Sequence, residues 1–168
     1  MTISHRGDTI LAVYPTTRGF GFVVMQSPLA PIDWGTRDAR GKQKNAVCLK
    51  KVLSLIETHQ PDAIILEDPT AEGSVRPDRI KRLCRSIASL ADNQSIDVHA
   101  YARSRVQEFF KSYGAKTRHE IATIIATQVT ALERFLPPHR RKWEIENPKM
   151  SIFNAAALAM TFFGAAEQ

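Results

Sequence analysis

Ala63-Ile64-Ile65-Leu66-Glu67-Asp68-Pro69 is the stretch on which the reading of this chain turns. Four aliphatic residues in a row, ended by Glu-Asp-Pro, read as a central strand buried on both faces of a sheet. Such a strand delivers an acid, Glu67, to the sheet's C-terminal edge, where open α/β sheets place their sites. Asp68 cannot stand in for Glu67, because neighbouring residues of a strand point to opposite faces.

Working outward, the chain is strand-rich first and helix-rich later. Thr9 to Tyr14 and Phe20 to Met25 read as two strands of a hairpin around the turn cluster Pro15 to Gly19, with Gly19 and Gly21 serving the hairpin's geometry. A weaker third strand is expected over Ile32 to Thr36, with Trp34 as its main packing residue. Helical spacing of Ala46, Leu49, Val52, Leu53 and Ile56 follows, with Asn45 as the expected N-cap and Pro61 as the stop. Beyond the Glu67 strand, Pro77 opens a helix whose apolar stripe is Ile80, Leu83, Cys84, Ile87 and Ala91.

Ile96 to Tyr101 is the next expected strand. Ser104-x-x-Gln107 and Thr117-x-x-Glu120 have the form of capping boxes, the second before a helix carrying Ile121, Ile124, Ile125, Val129 and Leu132. After Pro137-Pro138 and the charged loop His139 to Pro148, Asn147-Pro148 starts a last helix to about Phe163, capped by Gly164. Ser151, Asn154 and Thr161 share a stripe of that helix, and a merely wet face would look the same; Ala155 to Ala159 suits close packing against a sheet. No repeat or low-complexity tract divides the 168 residues, so one domain over 1–168 is expected.

Composition narrows the function classes. The chain is 43% hydrophobic and 24% charged, with a formal net charge of +6, which favours an anionic partner because Lys and Arg laid over phosphates release condensed counterions. Cys48 and Cys84 fall on apolar helix faces without CxxC spacing and read as buried thiols in a reducing cytosol. A polar N-terminus, Met1 to Asp8, and the lack of an apolar run of about 18 residues predict a cytoplasmic protein with no membrane span. His5, His59, His99, His119 and His139 lack zinc-site spacing, and there is no GxxxxGK[ST] loop or GxSxG elbow.

The order β-β-β-α-β-α-β-α with further helices at the end is that of an RNase H-like sheet, and the motifs resemble its RuvC-like branch, the Holliday-junction resolvases. Ile10-Leu11-Ala12-Val13-Tyr14-Pro15 through Gly21 is similar to that family's opening strand, Glu67 to its second acid, and Ile152-Phe153-Asn154 with Ala157-Leu158-Ala159 to its closing helix. The resemblance implies an α/β fold whose mixed sheet has three antiparallel strands followed by parallel ones, flanked by helices. It also implies Mg²⁺ or Mn²⁺ as cofactor if the protein is active, nucleic acid as partner, and a homodimer.

Against that pattern Tyr14 stands where an aspartate is expected and Asn154 where relatives carry another. Two-metal phosphodiester hydrolysis needs several anionic oxygens converging on ions about 4 Å apart. Asparagine offers one neutral oxygen, and a neutral phenol is a poor Mg²⁺ ligand that fills the metal's space. Glu67, with Asn154 as a weak second, is the expected metal and catalytic remnant. Alternative ligands are Glu144 and Glu146 before the last helix and His119 and Glu120 at the opening of another; the glutamates have an ordinary exposed-loop role open to them, and Glu120 the capping box.

Binding residues are expected in three basic clusters: Arg76, Arg79, Lys81, Arg82 and Arg85; Arg103 and Arg105; and Arg140, Arg141 and Lys142 beside Trp143. Trp143 either stacks on an unpaired base or plugs the core beneath its loop. Together these readings predict a RuvC-like binder of structured or branched DNA, in preference to RNA, with metal-dependent endonuclease activity reduced or lost. An active nuclease with a rebuilt acid set and a structural or partner-binding protein that retains only the fold are the alternatives.

Overall fold

Alternation along two neighbouring strands decides what meets at the sheet's edge. In the computed structural model, which describes residues 9–166, β1 (Ile10–Thr16) sits at the centre of a five-stranded sheet. It pairs antiparallel with β2 (Gly19–Met25) and parallel with β4 (Ala63–Glu67); β3 (Pro31–Asp38) and β5 (Asp97–Tyr101) form the two edges, in the order β3-β2-β1-β4-β5. The mixed sheet expected from the sequence is the one observed. The N-terminal stretch 1–8, with His5, lies outside the described residues, and no helix among those described is long and apolar enough to cross a membrane.

With a side-chain period of two, β1 sends Leu11 and Val13 to one face and Ile10, Ala12 and Tyr14 to the other. α1 (Lys44–His59) and α2 (Asp78–Asn93) cover the first face with Cys48, Val52, Leu83 and Ile87. α3 (Arg103–Lys111), α4 (Arg118–Gln128), a 3₁₀ segment (Thr130–Phe135) and α5 (Met150–Ala166) cover the second. Both cysteines are buried and free, as expected. Burial lifts the Cys84 thiol to about 11, with Arg76 opposing.

Several local expectations are corrected. Asn45 does not cap α1, which starts at Lys44 behind Gln43; its amide instead donates to the Arg79 carbonyl and accepts from Arg79 Nη1, tying α1 to α2. Ser104 is no cap either: the Ala102 carbonyl already accepts from the amides of Arg105 and Val106, so α3 begins earlier and Ser104 falls inside its first turn. Thr117 does cap α4, its hydroxyl accepting from the Glu120 amide at 3.1 Å. The stripe from Ile121 to Leu132 breaks at Val129, where φ −109° and ψ 86° leave the helical region before the 3₁₀ segment.

α5 starts later and runs further than its sequence cues. Asn147 Oδ1 accepts from the Lys149 amide in a turn ahead of the helix, and Gly164 lies within it rather than at its end. A Cβ on Gly164 would come 2.2 Å from the Phe109 ring, so glycine here serves α3–α5 contact, not capping. Gly21 likewise serves more than the hairpin: a Cβ there would meet Ser151 Oγ at 2.3 Å. Small residues on both sides let α5 lie against β1 and β2, with Ala155, Ala156 and Ala159 fully buried. The stripe is therefore not wet. Ser151 and Thr161 are buried and return their hydroxyls to the carbonyls of Pro148 and Ala157, and Asn154 alone of the three is partly open. On the edge strand, Trp34 packs against the core edge-on to Phe135 at 6.1 Å.

Candidate functional site

Continuing the β1–β4 register past Val13 and Leu66 sets Tyr14 beside Glu67 at the C-terminal edge of the parallel strands. Both face the α3–α5 layer, since Glu67 repeats the direction of Ala63 and Ile65. α5 brings Asn154 and Ala157 over them, while the first turns of α3 and α4 bring Arg103 and Arg118. These side chains, with Val106, Gln107, Ile121 and Leu158, line a cavity of about 50 Å³. Asp68 is elsewhere, accepting from the Thr70 amide and hydroxyl in the turn after β4.

Tyr14 is 6% exposed and its place is occupied firmly. Arg76 lies over the ring at 4.9 Å, donates to the phenol oxygen at 3.3 Å and donates to the Pro15 carbonyl. Burial raises the phenol's pKa, and the Glu67 carboxylate adds to the rise against the pull of Arg118 and Arg76. The phenol is therefore neutral at physiological pH and brings no negative charge. Glu67 is 8% exposed, and its carboxylate makes no hydrogen bond or ion pair among the described residues.

A pair of divalent cations does not fit this donor set. One carboxylate, one amide oxygen and one neutral phenol supply a single negative charge, and two guanidinium groups line the same cavity. Among the described residues no set of three or more His, Cys, Asp or Glu side chains is placed to hold a metal ion. Of the alternative acids, Glu146 comes nearest: it pairs with Arg118 at 3.6 Å and its charge reaches Tyr14. Glu144 accepts from the Arg141 amide on the exposed loop, and Glu120 is exposed at the start of α4.

The basic clusters separate. Arg79 spends its guanidinium on Asn45 Oδ1 and the Thr16 carbonyl, so it braces the α1–α2 layer. Arg82 and Arg85 are exposed and Lys81 half-buried on α2, behind the sheet as seen from Asn154. Arg105 is half-buried by Tyr101, where it opposes the burial-driven rise of that phenol's pKa. Arg103 and Arg140, far apart in sequence, line one larger cavity of about 810 Å³ together with Arg18 and Arg118. Arg141 and Lys142 are exposed beside it. Trp143 is 77% exposed, with the Arg141 guanidinium 5.6 Å from its ring, so it does not plug the core.

Sequence reasoning did not single out Arg118 or Arg18. Arg118 had a signal: it follows the Thr117 cap directly, so it opens a helix, but only the fold places that opening at the sheet's edge. Arg18 sits in the turn between β1 and β2 with nothing local to mark it.

A mixed sheet in this order, with a buried glutamate ending the strand beside the first and a closing helix laid across both, defines the RNase H-like class of α/β folds. No protein-family model matches the sequence, and no curated protein matches it. Solved structures do. Thermus thermophilus RuvC is similar at TM-score 0.69 and 15% identity, over 95% of this chain and 96% of that one. The same protein in complex with a Holliday junction substrate gives 0.69 and 14%, again over 95% and 96%. The yeast mitochondrial Holliday junction resolvase Ydc2 gives 0.62 and 12%, over 96% of this chain and 80% of that one. The chain has the RuvC-like form of the RNase H-like fold.

Proposed function

We propose that this chain is a RuvC-like nucleic-acid-binding protein, selective for structured or branched DNA, in which metal-dependent strand cleavage is reduced or lost. The observation that carries the proposal is the cavity at the sheet's edge. Glu67 is its sole carboxylate, and Tyr14, Asn154, Arg103 and Arg118 surround it. Cations built into the protein leave little attraction for Mg²⁺ or Mn²⁺, yet the same charges suit a phosphate backbone.

Arg103, Arg140, Arg141 and Lys142 supply that backbone attraction on one side of the molecule. The exposed Trp143 indole supplies a stacking surface for an unpaired base, and Arg82 and Arg85 a separate patch on the other layer. The solved complex of the structurally similar Thermus thermophilus RuvC with a Holliday junction substrate supports branched DNA as the ligand; a preference over RNA, a homodimer and a cytoplasmic location belong to the same proposal. The competing reading, an active nuclease with a rebuilt acid set, draws on Glu146, the acid paired with Arg118.

Fluorescence titrations of four-way junction, duplex and single-stranded DNA at two salt concentrations, followed by incubation with Mg²⁺ or Mn²⁺, test the proposal. Salt-dependent binding with junction preferred and no strand scission is expected. Robust metal-dependent cleavage abolished by Glu67→Gln would overturn the claim of lost activity in favour of the rebuilt site. Absence of salt-dependent binding would leave a structural or partner-binding role.

A further inference from the structure

The cavity of about 810 Å³ between the start of α4 and the segment 137–148 lies next to the Glu67 cavity, with Arg103 and Arg118 lining both. Its volume lies in the range of sites that enclose small organic ligands. Arginines reach it from four separate parts of the chain: Arg18 from the β1–β2 turn, Arg103 from α3, Arg118 from α4 and Arg140 from the last loop. Two acids oppose them. Glu146 engages Arg118 at 3.6 Å, and Glu144 satisfies the Arg141 amide, while Arg140 donates to the Glu144 carbonyl. The guanidinium groups of Arg18 and Arg103 have no partner among the described residues.

Two further features point to a ligand. At the start of α4 the Glu120 amide is taken by Thr117 Oγ1 and the Ile121 amide by the Thr117 carbonyl, which leaves the Arg118 and His119 amides unpaired beside the arginines. His119, also in the lining, has a buried Nδ1 with no hydrogen-bond partner, and its ring meets His139 edge-on at 4.8 Å. A buried ring nitrogen left without a partner is costly, and a shift of the ring toward a molecule in the cavity would give it one. Pro137, Pro138 and Ile145 add an apolar wall on which a flat ring can rest.

We propose that this cavity seats one nucleotide of a bound strand, its phosphate held by Arg103, Arg118 and the open α4 amides and its base lying against the wall of Pro137, Pro138 and Ile145, next to His139. The inference rests on the nucleic-acid-binding reading above and adds to it a position on the protein and a chemical class, a nucleotide bearing a phosphate. Free nucleotides share that chemistry, so the test separates the two sources.

Ring resonances of His119 and His139 are followed by NMR during titration with deoxyadenosine 5′-monophosphate and, separately, with deoxyadenosine. The monophosphate is expected to shift both histidines and the nucleoside neither. Arg103→Gln with Arg118→Gln, checked for unchanged thermal unfolding, is expected to weaken monophosphate binding about tenfold or more and to flatten the salt dependence of junction binding by about two units of slope. Lys50→Gln on the exposed side of α1 is the control, leaving monophosphate binding unchanged. If junction binds but the monophosphate moves neither histidine, or the double variant binds it as the parent does, the seat is refuted while the nucleic-acid reading stands. If the monophosphate binds and no DNA does, the nucleic-acid reading falls, and with it the claim that the seated nucleotide belongs to a strand.

Discussion

Replacing Tyr14 and Asn154 together by aspartate converts the proposed loss of metal binding into a measurement. The Tyr14 ring is buried beneath Arg76, so removing it costs what large-to-small aromatic changes in cores cost, about 3–5 kcal/mol. Two new carboxylates then sit by an unpaired Glu67, which adds like-charge repulsion in the metal-free protein. At about 2–4 °C per kcal/mol for a chain of this size, Tm falls by roughly 6–20 °C. Mn²⁺ at a hundredfold excess over its Kd returns about 2.7 kcal/mol, or some 5–11 °C by the same conversion, because only the folded state assembles the ligands. Differential scanning fluorimetry with and without Mn²⁺, beside a junction-cleavage assay, reads both effects. Adding Arg118→Gln should enlarge the metal response by removing a cation that otherwise pairs with the new acids. A parent protein that gains as much from Mn²⁺ as the variant, or a variant with no gain at all, would refute the reasoning.

Trp143→Ala should weaken single-strand and junction binding by about 1–3 kcal/mol, the worth of one base–aromatic stack, while leaving the unfolding midpoint unchanged because the ring is exposed; equal loss on blunt duplex would argue against stacking. Gly21→Ala drives a methyl into Ser151 and should destabilise by at least about 1–3 kcal/mol in urea unfolding, an effect that Ser151→Gly relieves in part. For Cys84, the folded thiol's pKa of about 11 exceeds the ordinary value of 9.0, so the folded state keeps its proton longer than the unfolded state as pH rises. Its contribution is complete below pH 9 and lost between about 9 and 11, up to about 2–3 kcal/mol. Cys84→Ala should flatten that part of the stability–pH curve, which chemical denaturation measures.

Legibility followed how local the causes were. The buried run ending in Glu67, the alternation of β1 and the Thr117 cap each depend on residues within a few positions, and all appear, although β1 runs on through Pro15 and Thr16, where a turn was expected. Expectations failed where a side chain had a distant competitor. Asn45 was free to cap its own helix until Arg79, 34 residues away, offered both a donor and an acceptor. Gly164 looked like a terminator until Phe109 required the space a side chain would take. Gly21 carries no mark of its partner, because Ser151 is 130 positions along the chain and meets it only after α5 docks.

By itself the sequence determined the layering, since hydrophobic periods of two and of three to four leave few ways to bury a chain of this size, and it determined that Glu67 ends a central strand. Tertiary structure alone decided the character of the site. Whether Arg18, Arg103, Arg118 and Arg140 neutralise scattered surface or converge depends on where four separate segments end. Charge acts through space at distances that chain separation does not encode, so their meeting beside an unpaired Glu67 became visible only once the helices were in place.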